Sequence, residues 1–147
     1  MGSTFYSLHY HIVFSTKERR KLIHAAWRPQ FHAYLGGTLR GLDVVAETVG
    51  GVDDHVHLLV SAKTTTSIAD LVRELKKASS AWATENHEPL FAWQEGYSVF
   101  SVSWKHVPLV RDYIDTQERH HEGNSFVDEL QRLLEKNGVK YDPAWLQ

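Results

Sequence analysis

The order of strand-like and helix-like patterns along the chain constrains its fold more than any other sequence feature. Residues 5–15 alternate between apolar and polar side chains, which predicts a half-buried strand, and residues 25–40 carry an apolar stripe at helical spacing. Two more strand patterns follow at 43–49 and 52–62, and Gly50-Gly51 between them predicts a hairpin turn. The chain is therefore predicted to begin with a strand, a helix and two strands.

The remaining patterns predict a helix, a strand and two further helices. Ser67 is suited to cap the first of these helices, and a strand follows at about 95–103. The last two helices are predicted over 108–121 and from Ser125 to Gly138. The first six elements give the order of the ferredoxin-like α+β sandwich, an antiparallel sheet with helices on one face. We therefore predict a single domain over 1–147, with two added C-terminal helices.

The segment Asp54–Leu59 (DHVHLL) carries a histidine pair at strand spacing. Residues two apart on a strand point to the same face, so His55 and His57 point away from the apolar residues that alternate with them. His9 and His11 repeat this spacing on the first strand. If the apolar faces of both strands pack against the helices, all four histidines lie on the other face of the sheet.

Tyr113 and Gln117 lie four residues apart in the predicted helix over 108–121. Residues at this spacing share one helix face, so a phenol and an amide oxygen point to the same region. If that helix crosses the histidine face of the sheet, the two motifs meet. His120 and His121 lie near the face of Gln117 and are alternative ligands, as are the histidines of the first strand.

Together these side chains predict a site that breaks a phosphodiester bond. Two imidazole nitrogens, an amide oxygen and at most one carboxylate, from Asp53 or Asp54, form a mixed donor set that suits Mg²⁺ or Mn²⁺. The ion would polarise the scissile phosphate, and Tyr113 would attack the phosphorus to form a phosphotyrosine. Because a tyrosine ester conserves the bond energy, the strand can be rejoined, which favours strand transfer over degradation.

The composition excludes several classes of protein. The chain has 147 residues and no cysteine, which excludes disulfides, thiolate zinc sites and a cysteine nucleophile. No apolar run is long enough to cross a bilayer, and the N-terminal residues do not read as a signal peptide. We therefore expect a cytoplasmic protein without a membrane partner.

The charge is unevenly distributed along the chain. A formal net charge of −2 argues against a general nucleic-acid binder. Two basic clusters stand out, and on charge alone their simplest interpretation is solvated surface. The first basic cluster is Lys17, Arg19, Arg20 and Lys21, and the second basic cluster is Arg73, Lys76 and Lys77.

Several segments, taken in order, resemble one known family, the small single-tyrosine transposases of the HUH superfamily. These TnpA-type enzymes move insertion sequences as single-stranded DNA, and the REP-associated tyrosine transposases are similar. The resemblance extends from Tyr6 to about Tyr141. The segments that carry it are Tyr10–Lys17 (YHIVFSTK), Asp54–Leu59, Leu75-Lys76 with Ser79-Ser80, Phe91–Tyr97 (FAWQEGY), Phe100–Ser103 (FSVS), and Tyr113-Ile114 with Gln117, His120 and His121.

The resemblance implies a DNA strand transferase. His55, His57 and Gln117 would hold Mg²⁺ or Mn²⁺, and Tyr113 would become attached to the 5′ phosphate, leaving a free 3′ hydroxyl. The substrate would be single-stranded DNA with hairpins at the element ends, cut without a nucleotide cofactor, and both basic clusters would contact its phosphates. The resemblance also implies a homodimer, in which Trp93–Ser103 contributes to the shared sheet and the tyrosine helix of one chain reaches the histidines of the other.

Two other functions remain open from the sequence. A domesticated transposase would bind a DNA hairpin without cutting it, although an intact Tyr113 argues against this interpretation. A metal hydrolase would instead activate water with the aspartates and histidines of residues 53–57, and Tyr113 would then matter little.

Overall fold

The computed structural model describes residues 2–146, which are built around a four-stranded antiparallel sheet. The strands are β1 (His9–Ser15), β2 (Val45–Gly51), β3 (His55–Ser61) and β4 (Ser98–Val102), in the spatial order β2-β3-β1-β4. The helices are α1 (Arg28–Gly41), α2 (Ile68–Asn86), α3 (Val107–Asp115), α4 (Gln117–His120) and α5 (Phe126–Lys136). This topology confirms the predicted ferredoxin-like sandwich with added C-terminal helices. In the part of the chain described, none of the helices has the length and apolar character needed to span a bilayer.

The main hydrophobic core lies between one face of the sheet and the helices α1 and α2. Alternate residues of β1 and β3 enter it because side chains two apart on a strand share a face. Each fully buried aliphatic or aromatic side chain contributes roughly 1.5–3 kcal/mol relative to an exposed one. The central residues of this core are Ile12, Phe14, Val56, Leu58 and Val60 from the strands, and Phe31, Leu35, Leu39, Leu71 and Leu75 from the helices.

The C-terminal helices cover the opposite face of the sheet. α3 packs over β2 and β3, and a smaller apolar cluster joins Val13 of β1 to Phe126 of α5. His11, His55 and His57 lie on this face and are buried beneath the helices. The predicted division of the central strands into an apolar face and a histidine face is therefore confirmed.

The predicted hairpin turn at Gly50-Gly51 is wrong. Both glycines lie inside β2, where Gly50 pairs with His57, and the turn follows at residues 52–54. Position 50 requires a glycine for packing rather than for a turn. A Cβ on Gly50 would overlap the carbonyl oxygen of Ile114 and lie 2.8 Å from Ile114 Cγ2. The missing side chain lets α3 approach the backbone of the sheet closely.

The boundaries of several elements differ from those predicted. The first strand begins at His9 rather than at residue 5. The helix predicted over 108–121 is divided into α3 and α4, because Thr116 leaves helical geometry with φ −114° and ψ 30°. The predicted start of the last helix is confirmed by a capping box, in which Ser125 and Asp128 each accept a hydrogen bond from the other's backbone N–H.

Gly50→Ala is expected to lower the free energy of unfolding by about 1–3 kcal/mol, because the added methyl group forces α3 away from β2. Urea unfolding of the two proteins measures this difference. Gly41→Ala is the matched control, since a Cβ at that position meets nothing within 4 Å. Equal effects of the two substitutions would contradict the close approach of α3.

Candidate metal and tyrosine site

Histidines of the two central strands line a buried site beneath α3, α4 and α5. His11 Nε2 of β1 lies 2.7 Å from His57 Nδ1 of β3. His55 and His57 have no exposed surface, and their ring centroids are 5.0 Å apart. His9 lies outside this group, since its Nδ1 is hydrogen-bonded to Ser61. The histidine pair therefore shares one face of β3, as its spacing predicts.

Asp54 orients the imidazole ring of His55 through its Nδ1 atom, which faces away from Gln117. Asp54 Oδ1 accepts a 2.7 Å hydrogen bond from His55 Nδ1, and the opposite nitrogen, Nε2, lies 3.0 Å from Gln117 Oε1. A carboxylate on one imidazole nitrogen fixes the ring and directs the other nitrogen to its ligand. The position of Asp54 is therefore that of an orienting group rather than a group at the centre of the site.

Tyr113 and Gln117 both reach the site although the helix between them is interrupted. Gln117 is buried, and its Nε2 donates a 3.0 Å hydrogen bond to Glu129 Oε2. The hydroxyl of Tyr113 donates to the same carboxylate oxygen. The ring of Tyr113 lies edge-on to His57, with 5.8 Å between centroids. The two sequence motifs thus meet at one point, as predicted.

Glu129 of α5 lies where these side chains meet, and the sequence patterns did not predict it. Its Oε1 lies 3.0 Å from His57 Nε2, 3.1 Å from His55 Nε2 and 3.0 Å from His121 Nε2. Its exposed fraction is only 4%. The sequence does contain a signal, because Glu129 lies three residues after Phe126 and so falls on the apolar stripe of α5. An acidic residue at a buried helix position is unusual without a partner.

Of the two histidines after Gln117, only His121 faces the centre of the site. His120 Nε2 is hydrogen-bonded to Thr116, and its ring packs beside Tyr113 with 4.5 Å between centroids. His120 therefore flanks the tyrosine, whereas His121 contacts the carboxylate of α5.

The contacts within the site determine its charges. Burial would lower the pKa of His55, but hydrogen bonds to Asp54 and Glu129 outweigh it and raise that pKa to about 9. Burial lowers the pKa of His57 to about 4 despite its bond to Glu129. Burial would raise the pKa of Glu129, but hydrogen bonds from the histidines hold it far below its usual range. Burial and the bond to Glu129 raise the pKa of Tyr113. The contact between His55 and Glu129 therefore favours the charged form of each, and the surroundings of Tyr113 favour its neutral phenol.

The donors in this site fit a divalent metal ion. One ligand atom from each of His55, His121 and Glu129 lies within 4.8 Å of the other two. His57 Nε2 and Gln117 Oε1 contact members of the same group. Imidazole nitrogens combined with carboxylate and amide oxygens suit Mg²⁺ or Mn²⁺ and other borderline cations. The three side chains predicted as ligands, His55, His57 and Gln117, lie in or next to this group of donors, together with one carboxylate.

A cavity of about 720 Å³ opens beside Tyr113, between β4, α3 and α5. Its lining combines apolar side chains such as Leu109 and Leu133 with the basic side chains of Arg132 and Lys136. This cavity therefore offers space for a nucleotide-sized group next to the tyrosine.

The first basic cluster approaches the site from its own loop. Arg19 and Lys21 border a second cavity, of about 470 Å³, whose lining includes Asp54 and His121. Arg20 is paired with a neighbouring glutamate at 3.0 Å. The exposed members of the cluster are Lys17, Arg20 and Lys21.

The second basic cluster lies on α2, and one member has a structural role. Lys76 Nζ donates to two backbone carbonyls, including that of Gln94 at 2.8 Å. Burial lowers the pKa of Lys76. Lys77 is exposed, and Arg73 is paired with an aspartate one turn earlier at 2.9 Å. The side chain of Gln94 also accepts a hydrogen bond from the backbone N–H of Glu18. Gln94 therefore contacts both the segment that carries the first basic cluster and the helix that carries the second.

Comparisons with known proteins identify transposases as relatives of this chain. A family model for IS200-like transposases matches residues 4–117. The ISDra2 transposase TnpA of Deinococcus radiodurans is 29% identical over 121 residues, which cover 76% of this chain and 85% of the relative.

Two solved structures share the fold. A crystal structure of a presumed transposase from Deinococcus radiodurans R1 has a TM-score of 0.65 at 24% identity, covering 80% of this chain and 95% of that one. A REP-associated tyrosine transposase bound to a REP hairpin has a TM-score of 0.62 at 13% identity, covering 83% of this chain and 74% of that one. At these identities the likeness supports the fold alone. Because the family model spans most of the sequence, including the histidine pair, Tyr113 and Gln117, the chain belongs to the IS200-like transposase family.

Proposed function

We propose that this protein cuts and rejoins single-stranded DNA at insertion-sequence ends through a 5′-phosphotyrosine on Tyr113. The observation that carries the proposal is the convergence of Tyr113, Gln117, His55 and His57 on one buried carboxylate. In this arrangement a phenol hydroxyl, an amide and two imidazoles surround one small volume beside a nucleotide-sized cavity, which supports the proposal. Membership of a transposase family supports the same assignment.

His55, His57 and Gln117 are proposed to hold Mg²⁺ or Mn²⁺, which when bound would act as a Lewis acid on the scissile phosphate. Asp54 fixes the ring of His55 through its Nδ1, at 2.7 Å. His11 is placed to do the same for His57, also at Nδ1 and 2.7 Å. Both Nε2 atoms are thereby held in place before a ligand arrives, which reduces the cost of ordering them on binding.

Tyr113 is proposed as the nucleophile. Its oxygen attacks the phosphorus and its proton passes to water, while the hydrogen bond to Glu129 holds the hydroxyl in position. A new bond joins phosphorus to the tyrosine oxygen, and the bond from phosphorus to the 3′ oxygen breaks. That oxygen leaves as a 3′ hydroxyl after gaining a proton from water. Rejoining is the reverse step, in which a 3′ hydroxyl attacks the phosphotyrosine, so one phosphodiester replaces another without a nucleotide cofactor.

The proposed substrate is single-stranded DNA that carries a hairpin near the cleavage point. The fold relative bound to a REP hairpin supports this for the present chain. The first basic cluster borders the site, and Arg132 and Lys136 line the cavity beside Tyr113. Basic side chains at these places would neutralise phosphates of a strand that enters the site.

We include a homodimer in the proposal. β4 is an edge strand of the sheet, and Tyr97 and Val99 on or next to it are 41% and 38% exposed. Such an edge can pair with a second copy of the same strand. In the dimer, Tyr113 would form an active site either with the histidines of its own chain, beside which it packs here, or with those of the partner.

Tyr113→Phe is expected to abolish the covalent protein–DNA adduct and to leave hairpin affinity within about twofold, because only the nucleophilic oxygen is removed. Single strands copied from both flanks of the gene, mixed with Mn²⁺ or Mg²⁺ and run on a denaturing gel, reveal the adduct as a slow band. His55→Ala and a chelator should each remove the same band.

Tyr141→Phe is the matched control, since that hydroxyl bonds only to Glu135 among the hydrogen bonds of the described residues. It should form the adduct as the unmodified protein does. Cleavage that persists in Tyr113→Phe would favour a metal hydrolase. Hairpin binding without any adduct in the unmodified protein would favour a domesticated binding module.

Lys21→Ala is expected to weaken hairpin binding and to reduce the slope of log affinity against log salt by about 1, because one phosphate contact is lost. Fluorescence anisotropy over a range of salt concentrations measures both quantities. Lys140→Ala changes an equally exposed lysine in the C-terminal segment and serves as the control. An unchanged slope for Lys21→Ala would remove the first basic cluster from the DNA interface.

A further inference from the structure

Glu129 stands out from every other acidic residue described because it is buried among the proposed metal ligands. Its exposed fraction is 4%, and its two oxygens contact five side chains of the site. The partners of Oε1 are His55, His57 and His121, and the partners of Oε2 are Gln117 and Tyr113.

The distances from Glu129 Oε1 to its three histidine partners match those between neighbouring ligands of one ion. Three imidazole Nε2 atoms lie 3.0, 3.1 and 3.0 Å from Glu129 Oε1. Ligand atoms bound to one cation at about 2.1 Å lie about 3.0–3.4 Å from one another in octahedral or tetrahedral geometry. Glu129 Oε1 and the imidazoles are therefore already at ligand–ligand distance.

The charge of the site points in the same direction. Two imidazoles and one amide form a neutral ligand set, whereas hard divalent cations prefer at least one carboxylate. Asp54 does not take that place, because its carboxylate is bonded to the outer nitrogen of His55. Among the described residues, Glu129 is the carboxylate that lies on the inner side of the histidines.

We propose that Glu129 is an anionic ligand of the divalent ion, supplied by α5 in addition to His55, His57 and Gln117. Oε1 binds the ion, and Oε2 keeps its hydrogen bond to Tyr113 and so positions the nucleophile next to the ion. This inference rests on the proposed function, because it assumes an ion at the histidine pair. It extends that function to a helix that lies outside the residues matched by the family model, 4–117.

The proposal links ion binding to the position of α5. The helix docks on the sheet through a small apolar cluster that includes Phe126 and Leu134. If the ion binds Glu129, it would tie α5 to β3 through an additional bond in the first turn of the helix. Ion binding is then expected to slow the opening of α5, which is measurable as amide hydrogen exchange.

The experiment measures Mn²⁺ binding to the metal-stripped full chain, by the loss of the free-ion signal in electron paramagnetic resonance. Glu129→Gln keeps the size and the hydrogen-bonding oxygen of the side chain and removes its charge. We expect it to weaken Mn²⁺ binding by at least about tenfold. Glu135→Gln, an exposed glutamate of the same helix, is the matched control and should bind Mn²⁺ as the unmodified protein does.

Hydrogen exchange supplies a second readout that does not depend on affinity. With saturating Mn²⁺, amides of Phe126–Lys136 should exchange more slowly in the unmodified protein and in Glu135→Gln, but not in Glu129→Gln. Amides of His55–Ser61 should be protected in all three. Circular dichroism confirms that each variant is folded, and Glu129→Asp, which keeps the charge on a shorter side chain, should fall between the other two.

Unchanged or tighter Mn²⁺ binding by Glu129→Gln would overturn the proposal, since the carboxylate would then occupy the site in competition with the ion. His57→Ala separates this failure from failure of the proposed function. If His57→Ala loses Mn²⁺ and Glu129→Gln does not, the histidine site stands and Glu129 is not a ligand. If the unmodified protein does not bind Mn²⁺, both proposals are wrong.

Discussion

The antiparallel pairing of β1 with β3 is the interaction on which the rest of this structure depends. In its register Val13 lies opposite His57, and Ser15 lies opposite His55. Because side chains alternate across a strand, the pairing that packs the apolar residues against α1 and α2 also presents the histidines together on the other face. A shift of one residue would turn the imidazoles into the apolar core, so burial of that core also determines the geometry of the site.

The histidine face is a polar surface in the interior of the protein, and hydrogen bonds among its own members make that burial possible. Asp54 and Glu129 both contact the ring of His55, and Glu129 in turn accepts hydrogen bonds from Tyr113 and Gln117. Removing one partner from a buried ion pair costs about 3–5 kcal/mol, because the other charge is left uncompensated. The C-terminal helices are therefore held to the sheet by polar contacts in addition to apolar ones.

The distribution of charge explains how an acidic chain can serve a DNA-processing family. The net charge is −2, but basic side chains border the cavity beside Tyr113 and the cavity beside Asp54 and His121, and the buried carboxylate is hydrogen-bonded to histidines. Phosphate binding depends on local potential within about a Debye length rather than on the net charge of the molecule. The first basic cluster lies nearer to the site than the second, of which Lys76 is engaged by backbone carbonyls.

The sequence by itself determined the order of elements, the histidine face of β3 and the spacing of Tyr113 and Gln117, because each depends on periodicity within one segment. It misled at Gly50, where a turn signal proved to be a place of close approach between β2 and α3. It also missed the helix interruption at Thr116 and the central position of Glu129. Only the tertiary structure decided the role of Gly50 and the partners of Glu129, because both depend on contacts between segments far apart in the chain. The apolar stripe of α5 predicts that Glu129 is buried, but a local pattern does not identify the side chains that it meets.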